Sequence, residues 1–178
     1  RNKTGSGIWL HGTPSAQYSR APEATDGCVV LANPDLARII NTVEIRSTPV
    51  VIARQLHWVP RQKSQQMAQE FETQLQAWLA SKVAGNAPAL AAFYASDFTQ
   101  NGKPLADWLP ALRRELESRR GQAREIKDIN LLHWADTEET MVATFGELIA
   151  GQRSGVTRRQ YWTRSMGGWK IFYEGVTG

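Results

Sequence analysis

The 178-residue sequence contains one cysteine, three histidines and no long apolar run. A single cysteine excludes an intrachain disulfide and any zinc site built from several thiolates. No apolar run approaches the roughly 18 residues that span a bilayer, so no integral membrane segment is predicted. His57 and His133 have no second ligand at metal-binding spacing, so neither a metal nor another cofactor is predicted.

Positive charge is in excess, but it is not concentrated. The formal net charge is +4, yet residues 1–57 carry six Lys/Arg against four Asp/Glu, and residues 66–178 carry thirteen of each. A nucleic-acid-binding protein gathers its basic residues on one element. Nucleic acid is therefore not a predicted partner. The apolar content of 42% is typical of globular proteins, and the length suits one large or two small domains.

The first third of the chain predicts short strands around a loop. Residues 7–10 and 28–31 are short apolar runs typical of buried strands, and prolines with small polar residues make 13–24 a loop. Asn33 as N-cap, followed by Pro34 and Asp35, predicts a helix over residues 34–41. Residues 43–53 predict further strands, interrupted at Pro49.

The remainder predicts helices followed by a meander. Apolar residues at helical spacing predict a helix over 67–85, and shorter patterns predict helices at 88–94 and 105–120, with turns near Asp97-Phe98 and Asn101-Gly102. Four strands are predicted at 124–134, 140–150, 155–166 and 169–176, joined by glycine-containing turns. Helices before an antiparallel meander make an α+β fold.

The stretch His11–Cys28 carries the strongest chemical signal. A lone thiol with a histidine is a candidate nucleophile and base, because an imidazole can generate the reactive thiolate. Backbone N–H groups around Gly27 and Cys28 can form an oxyanion hole. The alternative interpretation is a buried, inert thiol and a strand-end histidine bonded to a carbonyl. Such a bond is compatible with catalysis, since it leaves the other ring nitrogen free as base.

His11-Gly12 and the later Thr25-Asp26-Gly27-Cys28 resemble the HG…[ST]xGC signature of the L,D-transpeptidase (YkuD-type) catalytic domain. The resemblance implies a cysteine peptidyl-transferase acting on peptidoglycan stem peptides. Cys28 would form a thioester with the residue before a terminal D-amino acid, with His11 as base and Gly27 in the oxyanion hole. Gly12 belongs to the motif, and Thr25 and Asp26 are candidate substrate-binding residues. An amine or water would then release the thioester, which gives transpeptidase or L,D-carboxypeptidase activity.

Two positions depart from the common family pattern. Asp26 stands where many members have histidine, and Val30 stands where many have arginine, so the usual route of substrate-carboxylate recognition is in question. This combination is similar to cell-shape-determining L,D-carboxypeptidases, which carry a second, NTF2-like (SnoaL-like) domain. The helices-then-meander pattern and the ending Trp169–Val176 resemble such a domain, an α+β cone of three helices on a curved antiparallel sheet.

The resemblance implies a domain division. Residues 1–55 would be the C-terminal half of a mainly-β catalytic domain, 56–66 a polar linker and 67–178 the NTF2-like domain. Because family members have several strands before the histidine motif, the first half of the catalytic domain is expected to lie outside this sequence. The family implies export to the periplasm or cell envelope of a bacterium. NTF2-like cones often pair through their sheets, so a homodimer through this domain is one option.

Two other functions remain open. The chain could be a non-catalytic module whose cone binds glycan, peptide or a partner protein beside a remnant catalytic domain. The aromatic residues of the cone are expected to be mostly core, with some lining a pocket. Alternatively, the cone could itself be a small-molecule enzyme, which would require a polar dyad inside its pocket. No pair of carboxylates in the second half has a spacing that indicates one.

Overall fold

The structure, a computed structural model, describes residues 8–21, 25, 27–44, 48–100, 102–119, 121–135, 138–166 and 168–177. The chain divides into two compact units, Arg1–Thr48 and Pro49–Gly178. Its elements in chain order are β1 (Leu10–His11), β2 (Val29–Val30), α1 (Asn33–Ile40), α2 (Arg61–Val83), α3 (Ala87–Ala91), β3 (Tyr94–Gln100), β4 (Lys103–Pro104), α4 (Leu105–Ser118), β5 (Arg124–Ala135), β6 (Glu139–Ile149), β7 (Val156–Ser165) and β8 (Gly168–Thr177).

The first unit contains a two-stranded parallel sheet, β1–β2, followed by helix α1. Both strands were predicted, although the described part of each is shorter than its apolar run and Gly7 lies outside the described residues. The predicted helix start is displaced by one residue: Ala32 is the N-cap and Asn33 is the first helical residue. The Asn33 side chain does not cap the helix because it bonds the backbone of Thr13 instead.

The prediction of strands over residues 43–53 is wrong for the part that the structure describes. Residues 43, 44 and 48–53 contain no strand, and residues 45–47 lie outside the described ranges. Val50, Val51 and Ile52 are 61%, 47% and 64% exposed. The β-branched pattern that predicted a strand has no neighbouring strand to pair with among the described residues, and a strand needs that pairing.

Helix α2 is the longest helix of the second unit. It begins at Arg61, six residues before the predicted start, so residues 61–66 of the predicted linker form its first turns. Arg61–Gln66 is polar throughout and therefore shows no apolar periodicity that could reveal a helix. Further along, Phe71, Leu75, Trp78 and Leu79 recur on one face and are buried. That face holds the helix on the sheet.

The second unit has a six-stranded sheet in the order β4-β3-β8-β7-β6-β5. The four predicted strands are β5–β8, and they pair antiparallel in sequence order. The prediction of an antiparallel sheet is wrong at one pair of strands, because β3 pairs parallel with β8. This non-local pairing begins where the Ile171 N–H donates to the Phe93 carbonyl, 2.7 Å away.

Strand β3 also corrects the local prediction for this segment. The helix predicted over 88–94 ends at Ala91, and the turn predicted at Asp97-Phe98 is part of β3. Tertiary packing explains the difference, since the buried ring of Phe98 lies 4.9 Å from that of Tyr94 and 5.1 Å from that of Trp108. Of the turn predicted at Asn101-Gly102, Gly102 adopts a turn conformation with φ +77°. Asn101 lies outside the described residues.

The core of the second unit lies between the helices and one face of the sheet. Its buried members are Phe71, Leu75, Trp78, Leu79, Leu90, Tyr94, Phe98, Leu112, Leu116, Met141, Ala143, Phe145, Trp162 and Ile171. Helices α2, α3 and α4 together with this sheet form the three-helix arrangement expected of an NTF2-like domain, and the predicted α+β fold class is confirmed.

Candidate active site

The β1–β2 ladder brings the histidine and cysteine segments side by side. Leu10 pairs with Val29 and His11 with Val30, and the Leu31 N–H donates to the His11 carbonyl at 3.0 Å. His11 ends β1 and Cys28 directly precedes β2, so the pairing places the two segments next to each other. Sixteen residues separate the two in sequence.

The ring of His11 is oriented by the next residue in the chain. Its Nδ1 lies 2.9 Å from the carbonyl oxygen of Gly12. A carbonyl oxygen only accepts hydrogen bonds, so a neutral imidazole in this contact carries its proton on Nδ1. The lone pair is then on Nε2, and this is the tautomer that a general base requires.

Cys28, the single cysteine of the sequence, is half-buried. Gly27 has φ +99°, and a Cβ built there meets no atom within 4 Å. The glycine is therefore required by the backbone conformation and not by crowding. The hydroxyl of Thr25 donates to the Cys28 carbonyl at 2.8 Å and closes the turn around the thiol. Asp26 lies outside the described residues.

Asn33 contributes a contact that the sequence did not predict. Its Oδ1 accepts from the Thr13 N–H and its Nδ2 donates to the Thr13 carbonyl, both at 3.0 Å. A Cβ on Gly12 would lie 2.0 Å from Oδ1 of Asn33. Gly12 is therefore needed because the Asn33 side chain occupies the space that a larger residue would fill. The sequence signal at Asn33, a typical N-cap followed by proline, pointed to a different role.

A groove runs beside this loop. It has a volume of about 280 Å³ and is lined by Ser15, Ala16, Gln17, Tyr18, Asn33 and Pro34. Hydrogen bonds within the loop hold the wall of the groove that the loop forms. The Gln17 N–H donates to the Pro14 carbonyl at 2.8 Å, and the Thr13 hydroxyl donates to the Gln17 carbonyl. The ring of Tyr18 is 74% exposed. The groove therefore lies between this loop and the first residues of α1.

The second unit contains a buried ionic cluster, which we define as Lys82, Arg124, Glu147, Arg158 and Glu174. The Lys82 ammonium lies 2.7 Å from Glu147, and Arg124 and Arg158 also donate to that carboxylate. A second contact of Arg158 goes to Glu174. The five side chains come from α2 and from strands β5, β6, β7 and β8, so the cluster ties the helix to the middle of the sheet.

A chain of neutral groups extends the ionic cluster. Glu174 accepts from Gln160 at 2.6 Å and from the Tyr94 hydroxyl at 3.2 Å, and Tyr94 in turn accepts from the Trp78 indole. The Trp162 indole donates to Gln160. Among the described residues, no buried side-chain nitrogen or oxygen is left without a partner. The polar groups of this interior are therefore occupied by one another.

Charge pairing and burial shift the pKa values of the ionic cluster. Burial alone would raise the pKa of Glu147, but the charges of Arg158 and Lys82 outweigh it and lower that pKa to about 2. Burial, followed by the charge of Arg158, lowers the pKa of Lys82. Burial and the neighbouring Glu174 raise the pKa of Tyr94 well above its usual value. Glu147 is thus ionised throughout the physiological pH range.

The carboxylates of the ionic cluster were missed because their spacing in sequence matches no known motif. A weaker signal exists in β6, where Glu147 continues the inward-facing series Met141, Ala143 and Phe145. A charged residue on the apolar face of a strand predicts a buried partner.

His133 contacts Glu139 at 3.2 Å, and no three His, Cys, Asp or Glu side chains of the described ranges are grouped as metal ligands.

Comparison with known families gives one match, which lies at the start of the chain. Residues 1–52 match the family model of the L,D-transpeptidase catalytic domain, YkuD. The predicted resemblance is confirmed over these residues. We refer to them as the YkuD segment. The segment contains both motif halves, including His11 and Cys28. No curated protein matches the chain.

Solved structures extend the likeness to the whole chain. Bd1075 of Bdellovibrio bacteriovorus aligns over 99% of this chain and 63% of its own, with a TM-score of 0.70 and 19% identity. The helical cell shape determining protein Pgp2 of Campylobacter jejuni aligns over 97% and 62%, with a TM-score of 0.64 and 20% identity. The chain therefore shares the fold of both proteins and spans a little over three fifths of their length.

An NTF2-like protein of Pseudomonas putida aligns over 64% of this chain and 87% of its own, with a TM-score of 0.49 and 13% identity. Among the described residues, no helix has the length and apolar character needed to cross a membrane.

In the YkuD segment, Val30 is half-buried and pairs with His11, so the position where many family members have arginine is filled by an apolar strand residue.

Proposed function

We propose that the YkuD segment is the nucleophile-bearing half of a peptidoglycan L,D-transpeptidase or L,D-carboxypeptidase that acts through a Cys28 thioester. The observation that supports this is the β1–β2 pairing next to Cys28, together with the Gly12 carbonyl that holds the ring of His11. The match of residues 1–52 to the catalytic family supplies the reaction class. The proposed location is the bacterial cell envelope or periplasm, where peptidoglycan is found.

The reaction follows from the two side chains. Nε2 of His11 takes the Cys28 proton, and the thiolate attacks the carbonyl of the stem-peptide residue before the terminal D-amino acid. Backbone N–H groups at Gly27 and Cys28 stabilise the tetrahedral oxyanion. Its collapse forms the thioester and breaks the amide bond, and the leaving amine takes the proton from His11. An amine of a second stem peptide then gives a cross-link, or water gives the trimmed acid.

The groove beside the loop is the proposed entry for the stem peptide. Tyr18 and Gln17 present an exposed ring and an amide along its wall. With an apolar residue at Val30, recognition of the substrate carboxylate falls to other groups, and Thr25 and Asp26 remain the proposed substrate-binding residues.

The direct test uses tetrapeptide muropeptides and the full-length protein. Cys28→Ala is expected to abolish conversion to cross-linked or tripeptide products. Cys28→Ser is expected to retain weak activity. Thr73→Ala, a hydroxyl removal on the exposed side of α2, is the control and should retain turnover. Undiminished turnover by Cys28→Ala would refute the proposal. Mass spectrometry of a trapped thioester on Cys28 would support it directly.

A second proposal concerns the six-stranded sheet, for which we infer a binding or positioning role and pairing with a second copy. The ionic cluster favours this over catalysis because its polar groups are already mutually paired. On the sheet face opposite the core, Leu132, Val142, Tyr161 and Tyr173 lie in one cross-strand row. Trp134 on the same face and Tyr173 are both 39% exposed. Exposed aromatic residues of this kind favour a protein contact.

A further inference from the structure

Asn33 holds the peptide that orients His11. The Gly12 carbonyl, which accepts from His11 Nδ1, and the Thr13 N–H, which donates to Asn33 Oδ1, belong to the same peptide group. A peptide group is planar, so fixing its N–H also fixes the direction of its carbonyl. A second bond, from Asn33 Nδ2 to the Thr13 carbonyl, prevents rotation about the first.

The same side chain connects the two halves of the motif. Asn33 begins α1, three residues after the end of β2, which Cys28 directly precedes, whereas Gly12 and Thr13 follow β1, which ends at His11. The ladder between those strands is only two residues long on each side. Such a short pairing leaves the loop after His11 free to move unless another contact holds it. Asn33 supplies that contact across twenty residues of sequence.

The absence of a side chain at Gly12 leaves room for the amide of Asn33. A Cβ at Gly12 would lie 2.0 Å from Oδ1 and 3.2 Å from Cγ of Asn33. Any larger residue at this position would displace the amide from Thr13. The backbone of Gly12 has no positive φ that would demand glycine for a conformational reason. Its small size is therefore explained by the approach of Asn33.

We propose that Asn33 is a positioning residue for the acyl-transfer site, which acts through the Gly12–Thr13 peptide to hold His11 in the tautomer and direction of a base. This inference rests on the proposed function of His11 and Cys28. Bonding of the peptide N–H to Asn33 also polarises the carbonyl and strengthens its bond to the imidazole. Loss of Asn33 should leave Cys28 in place but uncouple it from His11.

The test follows alkylation of Cys28 by iodoacetamide against pH. Cys28 is the only cysteine of the chain, so the labelling rate reports on that thiol alone. His11→Ala is expected to slow labelling at pH 6 about tenfold and so to change the rate profile, because the thiol loses its base. Asn33→Ala is expected to slow it at least about threefold. Asn41→Ala, an amide removal at the exposed end of the same helix, should leave the profile unchanged.

A double-mutant cycle separates positioning from general damage. Gly12→Ala alone should shift the profile as Asn33→Ala does, because the new methyl displaces the amide. In the Asn33→Ala background the methyl has room, and Gly12→Ala should add less than a twofold change. Amide exchange of Val29 and Leu31, which bond across the ladder, should remain as slow as in the parent chain.

The outcomes are distinguishable. If His11→Ala shifts the profile and Asn33→Ala does not, the positioning role is refuted and the proposed function stands. If His11→Ala has no effect, the proposed base is wrong and so is its support by Asn33. Additive effects of Gly12→Ala and Asn33→Ala, or loss of ladder protection in Asn33→Ala, would mean a merely structural role and would overturn the inference.

Discussion

The Lys82 ammonium lies 2.7 Å from the Glu147 carboxylate in the interior of the second unit, and the two side chains are only 3% and 2% exposed. Arg124 and Arg158 donate to the same carboxylate. Burying charges is costly, and removing one partner from such a group leaves the others with less compensation. The stability of the second unit therefore depends on Glu147 more than on any surface carboxylate.

Replacing Glu147 by glutamine is expected to lower the free energy of unfolding by about 3 kcal/mol, since three cations lose their shared counter-charge. Urea denaturation followed by far-UV circular dichroism measures the change. Glu125→Gln is the matched control, because Glu125 pairs with the half-exposed Lys127 and its replacement should cost less than about 0.5 kcal/mol. Equal losses in both variants would contradict the prediction.

Acid should unfold the second unit through the same carboxylate. The pKa of Glu147 falls from 4.5 to about 2 on folding, so its ionised form is favoured by the fold. A lowered carboxyl pKa stabilises the fold above the unfolded pKa, and this contribution disappears as the pH falls from about 4.5 to about 2. The difference corresponds to about 3 kcal/mol. Unfolding free energies measured across this range should decrease less steeply for Glu147→Gln than for the parent chain.

Gly27 should be intolerant of alanine although nothing crowds it. Its φ of +99° is disfavoured for any residue with a Cβ, at a cost of about 1–2 kcal/mol. Gly27→Ala is expected to displace the turn that presents Cys28 and to slow alkylation of that thiol. Gly168→Ala, with φ +97° in the β7–β8 turn, is a matched control for strain alone and should leave the alkylation rate unchanged. A parental labelling rate in Gly27→Ala would argue against a role for this turn.

Pairing through the sheet predicts a dimer that depends on its aromatic face. Tyr173→Arg should convert the dimer to a monomer in light-scattering chromatography, because a charge on that face lacks a partner across a two-fold contact. Tyr18→Arg, on a ring that is 74% exposed in the other unit, should leave the dimer intact. A parent chain that is monomeric at high micromolar concentration would refute the proposal.

The sequence by itself determined the chemistry-bearing stretch and most of the second unit's elements. Helix α4 and strands β5–β8 follow from apolar periodicity, which is a local property of the chain. The motif around His11 and Cys28 identified a candidate nucleophile and base before any geometry was known, and the match of residues 1–52 confirms the family that it indicated.

Only the tertiary structure decided the rest, because it depends on contacts between residues that are distant in sequence. The β1–β2 pairing brings the segments of His11 and Cys28 side by side, and β3 is a strand because it pairs with β8. Asparagine is a common N-cap residue, yet the Asn33 amide bonds the backbone of Thr13 twenty residues earlier. Local propensity reports what a segment can form, whereas the burial and hydrogen-bond partners that select among those forms are supplied by the folded chain.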